Sequence, residues 1–592
     1  MAQPTADPST MGETARVSSL SDPDPDQTSS ILSYKRMARE MGVSDSYERK
    51  VALLNKAIKE EIGFGKFQIW LTFLAGFGWF IDNVWFEALA ISLPQINLEF
   101  RPRHIQFATL ALYIGLFFGA TFWGVAADVI GRRPSWNITL FISAVFGIAI
   151  GGANNFVTFG ALLSCLGLGV GGNLPVDGAM LIEFVPGTHQ WILTGLSIFW
   201  SFGQLFAALV GWALIPNFRC ESATDCPRAS NMGWRYTWFT LGGLTFLLWV
   251  LRFFVYPIPE SPKFLIAKGR DAEAIAVIQF LAKENGKTTS LTLEQLVAAG
   301  LGYTEENFGA EKEDEEVARG PSIISATDEE KAMARRKVEE EKRTKQRRVD
   351  EDSSTIVPAA EQGLKKQTPR LRERAELLQL RKSLEHFDAS HLKALFASPR
   401  MIWNTVLVCF LWGLIGLAYP LYNAFVALYL ANAGANYGSN SQYEQYKQLV
   451  IIAACGIPGS VMAAFMVELP YAGRRGSMAF FTMLTGVFLF LFTTARTPSA
   501  ILGWNCATSL TQNAMYAVLY AITYEVFPTP HRGTGDGLAM GTQRVFGVIA
   551  PVVGAFAGSE PTKPIYVSAS FFIAAAVLML MLPYEPRGKT AL

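Results

Sequence analysis

The stretch Gly124-Val-Ala-Ala-Asp128-Val-Ile-Gly131-Arg132-Arg133 is a short charged loop between two long apolar runs. A similar stretch, Glu468-Leu-Pro-Tyr-Ala-Gly473-Arg474-Arg475, again ends one apolar run and precedes the next. The two Gly-Arg-Arg triplets lie 342 residues apart (473 minus 131).

Two further features repeat with the same spacing of 342 residues. Glu183-Phe-Val-Pro-Gly-Thr-His189 is matched by Glu525-Val-Phe-Pro-Thr-Pro-His531, and Gly195-Leu196 is matched by Gly537-Leu538. Three matched features with one spacing indicate two equivalent halves. A long internal duplication in a very apolar chain is typical of a membrane transporter built from repeats.

The composition is that of a membrane protein. Half of the 592 residues are hydrophobic and 17% are charged, and the charges crowd into residues 1–60 and 263–398. The rest contains runs of about 20 apolar residues, the length that an α-helix needs to cross a bilayer core. The net charge of +1 gives no reason to expect a nucleic-acid partner.

The six cysteines are too few and too scattered for a disulfide scaffold or a zinc site. Cys220 and Cys226 fall in a polar loop, where a local disulfide and two free thiols are equally compatible with the sequence. We expect no metal and no cofactor.

Hydropathy predicts an all-α membrane protein with twelve spans in two sets of six. The first six are at 67–92, 105–127, 134–153, 157–185, 191–215 and 237–257. The second six are at 401–430, 448–468, 477–495, 500–527, 537–558 and 565–583.

The spans divide the chain into five parts. These are a cytosolic N-terminal tail (1–60), a six-helix half (61–262), a cytosolic central loop (263–398), a second six-helix half (399–585) and a cytosolic C-terminal tail (586–592). The tail is expected to be disordered to residue 30 and then helical over Tyr47–Ile62. The central loop has helical periodicity over Asp271–Asn285, but 303–370 is too charged to bury a core.

An even number of spans places both termini on one side. The arginine-rich loops share that side, which predicts that it is cytosolic. The plasma membrane is the default location, with the vacuolar or another internal membrane as the alternative.

Inserting an ionisable side chain at the bilayer centre costs about 2.5–3.5 kcal/mol, so each such residue is expected to have a functional or structural role. Asp82 lies in the first predicted span, and Glu87 points about 140° away from it around the helix. Asn83 and Glu87 share one face. Asp177 lies in the fourth span and Arg544 in the eleventh. Each ionisable group has two possible roles, contact with a solute or proton, or a buried ion pair between helices.

The predicted spans contain more acids than bases, which favours a proton-binding role for one acid. Burial allows a carboxyl group to bind and release a proton near neutral pH. Asp82 is the first candidate, and its proton would couple solute uptake to a proton gradient. The expected partners are therefore a small solute, a proton and the lipid bilayer, with the protein as a monomer.

Charged residues also gather at the predicted cytosolic helix ends. Single half-exposed ion pairs contribute little, but together these residues would close the inside of the molecule and open when the halves rock apart. Topological anchoring is the alternative role. We call this set the cytosolic gate: Arg132, Arg133, Glu183, Arg474, Arg475, Glu525 and, in the last cytosolic loop, Arg532.

Uncharged polar and aromatic residues lie in several spans. A helix that faces only lipid has no use for them, so they either line a water-filled cavity or bond between helices. Tyrosine and asparagine suit the hydroxyl or amide groups of a small organic solute. The candidates are Gln204, Tyr422, Asn423, Gln512, Asn513 and Tyr516.

These motifs resemble the major facilitator superfamily. The loop at 124–133 is similar to the superfamily's signature between its second and third spans. Pro259-Glu260-Ser261-Pro262-Lys263 is similar to the sugar-porter ending of the sixth span. Gly63-Phe-Gly-Lys-Phe-Gln68, Asp82 and Ile278…Asn285-Gly286 are similar to the branch of synaptic-vesicle-protein-like and organic-ion transporters.

The resemblance implies a twelve-helix bundle that works by alternating access, with the solute site between its halves. It also implies that Asp128 and Arg132 form a conformational latch and that Glu260 joins the cytosolic gate. The chain departs from the family in two places. The seventh span lacks the paired glutamines with which sugar porters hold hexoses, and Glu468, the acid of the second-half latch, stands two residues further from its Gly-Arg-Arg triplet than Asp128 does.

The favoured hypothesis is a proton-coupled secondary active carrier of a sugar, an organic anion or an organic cation. The alternative is a non-transporting membrane sensor or scaffold that signals through the central loop. We do not expect an enzyme, because the spans contain no Ser-His-Asp set or metal-ligand spacing. Gly286-Lys287-Thr288 lacks the leading glycine of a phosphate-binding loop.

Overall fold

A computed structural model describes residues 45–189, 191–220, 226–256, 258–301, 390–437, 442–467, 469, 472–527, 531–556 and 562–583. Within these ranges the chain is helical and contains no strand. The predicted disordered tail, the charged middle of the central loop and the C-terminal tail lie outside the described residues. So do Glu468 and the side chain of Asn423.

The first half contains six long helical segments, preceded by a short helix, α1 (Asp45–Lys56), and a π-helical turn (Ala57–Ile62). The six spans are α2 (Lys66–Phe100), α3 (Phe107–Val129), α4 (Arg132–Gly151), α5 (Phe156–Phe184), the pair α6 (Trp191–Gly195) and α7 (Ser197–Leu214), and α8 (Gly233–Val250), which continues as a π-helical turn (Leu251–Val255).

Short helices separate this half from six further spans. The short helices are α9 (Pro262–Ala267), α10 (Asp271–Glu284), α11 (Leu293–Leu301) and α12 (Ser390–Ala394). The spans are α13 (Pro399–Tyr437), α14 (Gln442–Met466), α15 (Gly473–Thr494), α16 (Pro498–Val526), α17 (Arg532–Phe556) and α18 (Thr562–Met579).

Nine of the twelve spans are long and apolar enough, over their described residues, to cross a membrane on composition alone. The other three are α16, α17 and α18. Along α16, residues 511–526 are all buried, including the polar Gln512 and Asn513. A helix surrounded by other helices can carry polar side chains that a lipid-facing helix cannot.

Several helices extend beyond the apolar stretches that hydropathy marks. The first continues to Phe100 instead of ending at 92, and α17 begins at Arg532 instead of 537. In α17 the added turn is rich in glycine and packs against α3 of the other half. A Cβ atom on Gly124 would lie 2.6 Å from the carbonyl oxygen of Gly533, so this approach requires glycine.

The helix α1 is docked on the helices that follow the sixth span. The Arg49 guanidinium donates to the carbonyl oxygens of Ala299 (2.7 Å) and Gly300 (2.8 Å) at the end of α11. Lys50 forms an ion pair with Asp271 at the start of α10. The sequence predicted helices over Tyr47–Ile62 and Asp271–Asn285, which correspond to α1 with the turn after it and to α10. Together, α1 and α9–α11 form a small layer on the predicted cytosolic side.

The structure joins Cys220 and Cys226 in a disulfide, with Cα atoms 5.4 Å apart. The backbone amide of Cys220 donates to the side chain of Gln95 at the outer end of α2 (3.3 Å). This contact attaches the disulfide loop to the first span.

Candidate functional site

Asp82 lies in the middle of α2 and is fully buried. Asn173 of α5 donates its side-chain amide to Asp82 Oδ1 at 2.9 Å. Within the described residues, no hydrogen-bond donor reaches Asp82 Oδ2. One carboxyl oxygen of Asp82 is therefore hydrogen-bonded within the first half, and the other has no hydrogen-bond donor among the described residues.

Asp177 forms a fully buried ion pair with Arg252, on the π-helical turn that ends the sixth span. The guanidinium also donates to the carbonyl oxygens of Trp136 (3.1 Å) and Leu74 (2.9 Å). It lies over the Trp136 ring, 3.7 Å from the ring centroid. Of the two predicted roles for Asp177, this geometry favours the structural one, because the pair ties together four spans of the first half.

Arg544 of α17 is buried at the junction of the two halves. Its guanidinium lies 5.3 Å from the ring centroid of Phe86 in α2. Among the described side chains, Arg544 forms no ion pair, and its side chain is 4% exposed. A buried guanidinium between the halves is a strong candidate for contact with a solute.

The other predicted polar residues of the first half lie near this junction. Gln204 of α7 donates to Glu87 at 3.4 Å, and Asn83 donates to the Trp200 carbonyl oxygen at 2.9 Å. Asn83 and Glu87 thus both bond toward α7, which agrees with their predicted shared face.

Predicted residues of the second half also lie in the interior. Ser201 of α7 donates to Asn513 of α16 at 3.0 Å, across the halves. Tyr422 bonds to Asn505 inside the second half. Gln512 is buried beside Asn513.

Aromatic side chains from both halves meet at the centre. The ring centroids of Trp79 and Tyr520 are 4.8 Å apart, and those of Trp412 and Tyr520 are 4.7 Å apart. Trp200 lies 5.0 Å from Tyr516. We refer to these five residues as the aromatic cluster.

The first-half side of the cytosolic gate is centred on Arg132. One guanidinium nitrogen lies 3.1 Å from Asp128 and 3.1 Å from Glu183. Glu260 accepts hydrogen bonds from the backbone amides of Arg132 (3.0 Å) and Arg133 (3.2 Å). Burial raises the pKa of Glu260, which lies outside the spans.

Two contacts join this cluster to the second half. Asp128 Oδ2 accepts from the backbone amide of Thr534 (2.9 Å) and from its hydroxyl (3.0 Å). Arg532 lies 3.9 Å from Glu183. In this structure, residues of the predicted gate therefore join the two halves.

Lys263 on the short helix α9 is buried beside this cluster. Burial and the neighbouring Arg532 guanidinium lower its pKa to about 7, against an opposing effect of Glu183. This lysine was not selected from the sequence as a gate residue.

The second-half side of the gate contains an equivalent pair. Arg474 donates to Glu525 at 2.8 Å, and both side chains are buried. Arg475 donates to the carbonyl oxygen of Leu580 after the last span. These contacts lie within the second half.

The halves also meet at the opposite end, which the sequence did not predict. The Tyr446 hydroxyl donates to the Ile91 carbonyl oxygen at 3.0 Å. Ile91, Ile215 and Tyr446 form a buried apolar cluster with Trp212 and Leu449 packed against it. We call these five residues the outer contact. The two halves are thus in contact at both ends of the bundle.

A family model of the Major Facilitator Superfamily matches residues 69–468. The chain belongs to this superfamily. It is 45% identical to "MFS siderochrome iron transporter 1" of Ceriporiopsis subvermispora over 92% of each chain. It is 24% identical to "Niacin transporter NiaP" of Acinetobacter baylyi, over 90% of this chain and 97% of the relative.

The fold is also that of a solved structure of the proton:xylose symporter XylE. The TM-score is 0.59 and the sequence identity 15%, over 88% of this chain and 97% of that chain. The predicted superfamily and twelve-helix fold are confirmed. This superfamily member is an integral multi-pass membrane transporter and not an enzyme.

Proposed function

We propose that this superfamily member is a proton-coupled carrier of a small organic anion with an aromatic or apolar body. The observation that carries the proposal is Arg544, a buried guanidinium at the junction of the halves with no ion-pair partner among the described side chains.

A buried cation is costly unless an anion compensates its charge. A carboxylate matches the planar guanidinium with two parallel hydrogen bonds, which gives both affinity and orientation. Because Arg544 belongs to α17 and contacts Phe86 of α2, an anion bound there touches both halves. Such a position suits a solute whose binding depends on how the two halves are placed relative to each other.

The aromatic cluster supports an apolar body for the same solute. Its rings come from both halves and lie at edge-to-face angles, as in the Trp79–Tyr520 pair at 67° and the Trp200–Tyr516 pair at 76°. Flat rings of this kind bind planar or apolar groups well. The junction therefore combines one cation with a large aromatic surface.

Asp82 supports the coupling to protons. The guanidinium of Arg544 is close enough to interact electrostatically with Asp82. An arriving anion competes with Asp82 for this cation, and a proton on Asp82 removes the competition. Asp177 and Arg252 compensate each other, so they leave this balance unchanged. One proton would thus enter with one anion and leave Asp82 when the inside opens.

The names of the relatives point in two directions. Niacin, a pyridine carboxylic acid, fits a site with one guanidinium and aromatic walls, and it supports the proposal. The 45% identical siderochrome transporter favours a second candidate, a ferric siderochrome. The same transport assay separates the two.

Uptake by proteoliposomes tests the proposal, with nicotinate, benzoate, xylose, tetraethylammonium and ferrichrome supplied with and without an imposed pH step. We expect accumulation of an aromatic carboxylate that increases when the interior is alkaline. Arg544→Gln should abolish uptake, and Asp82→Asn should abolish only its dependence on the pH step. Lys447→Gln, at an exposed ion pair, is the control.

Accumulation of xylose, the amine or ferrichrome instead of a carboxylate would reject the anion. Full uptake by Arg544→Gln would reject the assigned role of this residue. Binding of a carboxylate without accumulation would favour the sensor alternative.

A further inference from the structure

Asp536 lies one turn into α17, four residues after Arg532, and is 0% exposed. Both of its carboxyl oxygens are buried, and no hydrogen-bond donor among the described residues reaches either one. The residue was not selected from the sequence.

Four charged or titratable groups face Asp536. They are Asp128 of α3, Arg132 of α4, Tyr524 of α16 and Arg532 of its own helix. The Tyr524 hydroxyl is already committed, because it donates to the carbonyl oxygen of Leu174 at 2.6 Å.

Two basic residues of the other helices packed against α17, Lys393 of α12 and Arg400 of α13, are exposed. Glu183 of α5 and Lys263 of α9 face Arg532.

Asp536 therefore lies beside two guanidiniums that other acids already engage. Asp128 and Glu183 both engage Arg132, and Glu183 also faces Arg532. The Thr534 amide and hydroxyl, the donors nearest along the chain, are both used by Asp128. An ionised Asp536 would be a buried anion without hydrogen bonds, which is a strongly unfavourable state.

We infer that Asp536 binds a proton while the cytosolic gate is closed and releases it to water when the gate opens. Opening separates α17 from α3 and hydrates the carboxyl group, which then ionises, and the proton passes to the cytosol. Asp536 is thus a proton-binding site of the gate itself, separate from the solute site. The inference requires only that the gate opens, and it does not depend on the proposed solute or on Asp82.

The closed state binds one proton more than the open state. The ratio of closed to open molecules therefore falls as cytosolic pH rises, by up to about tenfold per pH unit for a single group. Lys263 acts with the opposite sign, because its closed-state pKa is about 7 and hydration returns it to its higher usual range. Lys263→Arg removes that opposing response.

A distance measurement by electron spin resonance tests this directly. Spin labels are placed at the exposed sites Ala276→Cys and Lys393→Cys, on the predicted cytosolic side of the two halves, after the four free cysteines are replaced by alanine. In the Lys263→Arg protein without solute or gradient, we expect the long-distance, open population to grow as pH is raised from 6 to 8. Asp536→Asn should stay closed, with a ratio constant within about twofold.

Asp536→Glu, which keeps the carboxyl group, should retain the pH dependence, and Glu444→Gln at an exposed pair is the matched control.

If Asp536→Asn does not fold, infrared difference spectra of the Lys263→Arg protein replace the distance measurement on that variant. They should show a protonated carboxyl band that disappears on opening, and its absence would overturn the inference. An unchanged pH dependence in Asp536→Asn would overturn it as well. The same distances are also measured in Asp82→Asn, to separate this inference from the proposal that Asp82 couples transport to protons. Failure of the coupling proposal changes the uptake result but leaves the pH-dependent change in gate distances as it is.

Discussion

The two halves carry the same ion pair at equivalent positions and use it differently. Arg132–Glu183 and Arg474–Glu525 correspond at the spacing of 342 residues, and all four side chains are buried. The first pair also engages Asp128 and faces α17 of the other half. The Arg474–Glu525 contact itself lies inside the second half. Duplication has thus kept a pair that fixes helix ends, and in the first half this pair also has contacts across the interface.

Breaking the first pair should have the largest effect on the gate. Glu183→Gln removes the negative charge shared by Arg132 and Arg532, and loss of one partner of a buried pair costs about 3–5 kcal/mol. Only the part of this cost that comes from Arg532 falls on the closed state, because the Arg132–Glu183 contact lies within the first half. We expect the open population to grow by roughly tenfold to a hundredfold, measured by the spin-label distances. An unchanged distance distribution would remove Glu183 from the gate.

Breaking the second pair should act on stability instead. Glu525→Gln leaves Arg474 buried at a comparable cost. Because the pair lies within one half, we expect it to persist in both gate states. We expect a lower thermal unfolding temperature in detergent, followed by tryptophan fluorescence, with unchanged gate distances. Gate opening as large as in Glu183→Gln would erase the proposed difference between the halves.

A smaller change removes one hydrogen bond between the halves. Thr534→Val deletes the hydroxyl that donates to Asp128 and leaves the backbone amide in place. Hydrogen bonds to charged groups contribute about 1.5–3 kcal/mol, so we expect about a tenfold shift toward the open gate. Thr494→Val, at an exposed hydroxyl bonded within its own helix, is the matched control. An equal shift in both variants would show that the contact with Asp128 is irrelevant.

The smallest expected effect is the pH response of Lys263, measured in the Asp536→Asn protein. The pKa of about 7 in the closed gate lies below the value near 10.4 in water. The open state therefore binds more protons above pH 7, and the closed state gains as pH rises. Between pH 7 and 8 this amounts to about fivefold in favour of closing. Lys263→Arg should abolish it, and a change of the opposite sign would contradict the assignment.

The repeated motifs singled out the residues of both ion pairs but not their pairing, because a spacing shared by three features marks equivalent positions without any knowledge of packing. Arg252 was missed although it lies inside an apolar run. Its place near the end of the predicted sixth span resembles that of an ordinary terminal arginine. Only the fold shows that a π-helical turn directs it back to Asp177. The rule that ionisable groups in spans need a partner would have selected it.

Asp536 was missed for a different reason. Hydropathy begins the eleventh span at 537, after a run of glycine, threonine and aspartate, whereas the helix starts at Arg532. That added turn is buried because its glycines allow contact with α3, which is a tertiary property. The outer contact could not be predicted from the sequence either, because Tyr446 bonds to a backbone carbonyl oxygen, and every residue has one.

The docking of α1 has a consequence for how the chain is assembled. Arg49 bonds to Ala299, 250 residues later, so α1 is synthesised long before its partners on α11. At 5–20 residues per second, ribosomes need roughly 10–50 s to cover that distance. Throughout this interval Val51, Leu54 and Ile58, all buried in the finished protein, have no native surface to cover them. We therefore expect α1 to need protection from aggregation while the first six spans are being inserted.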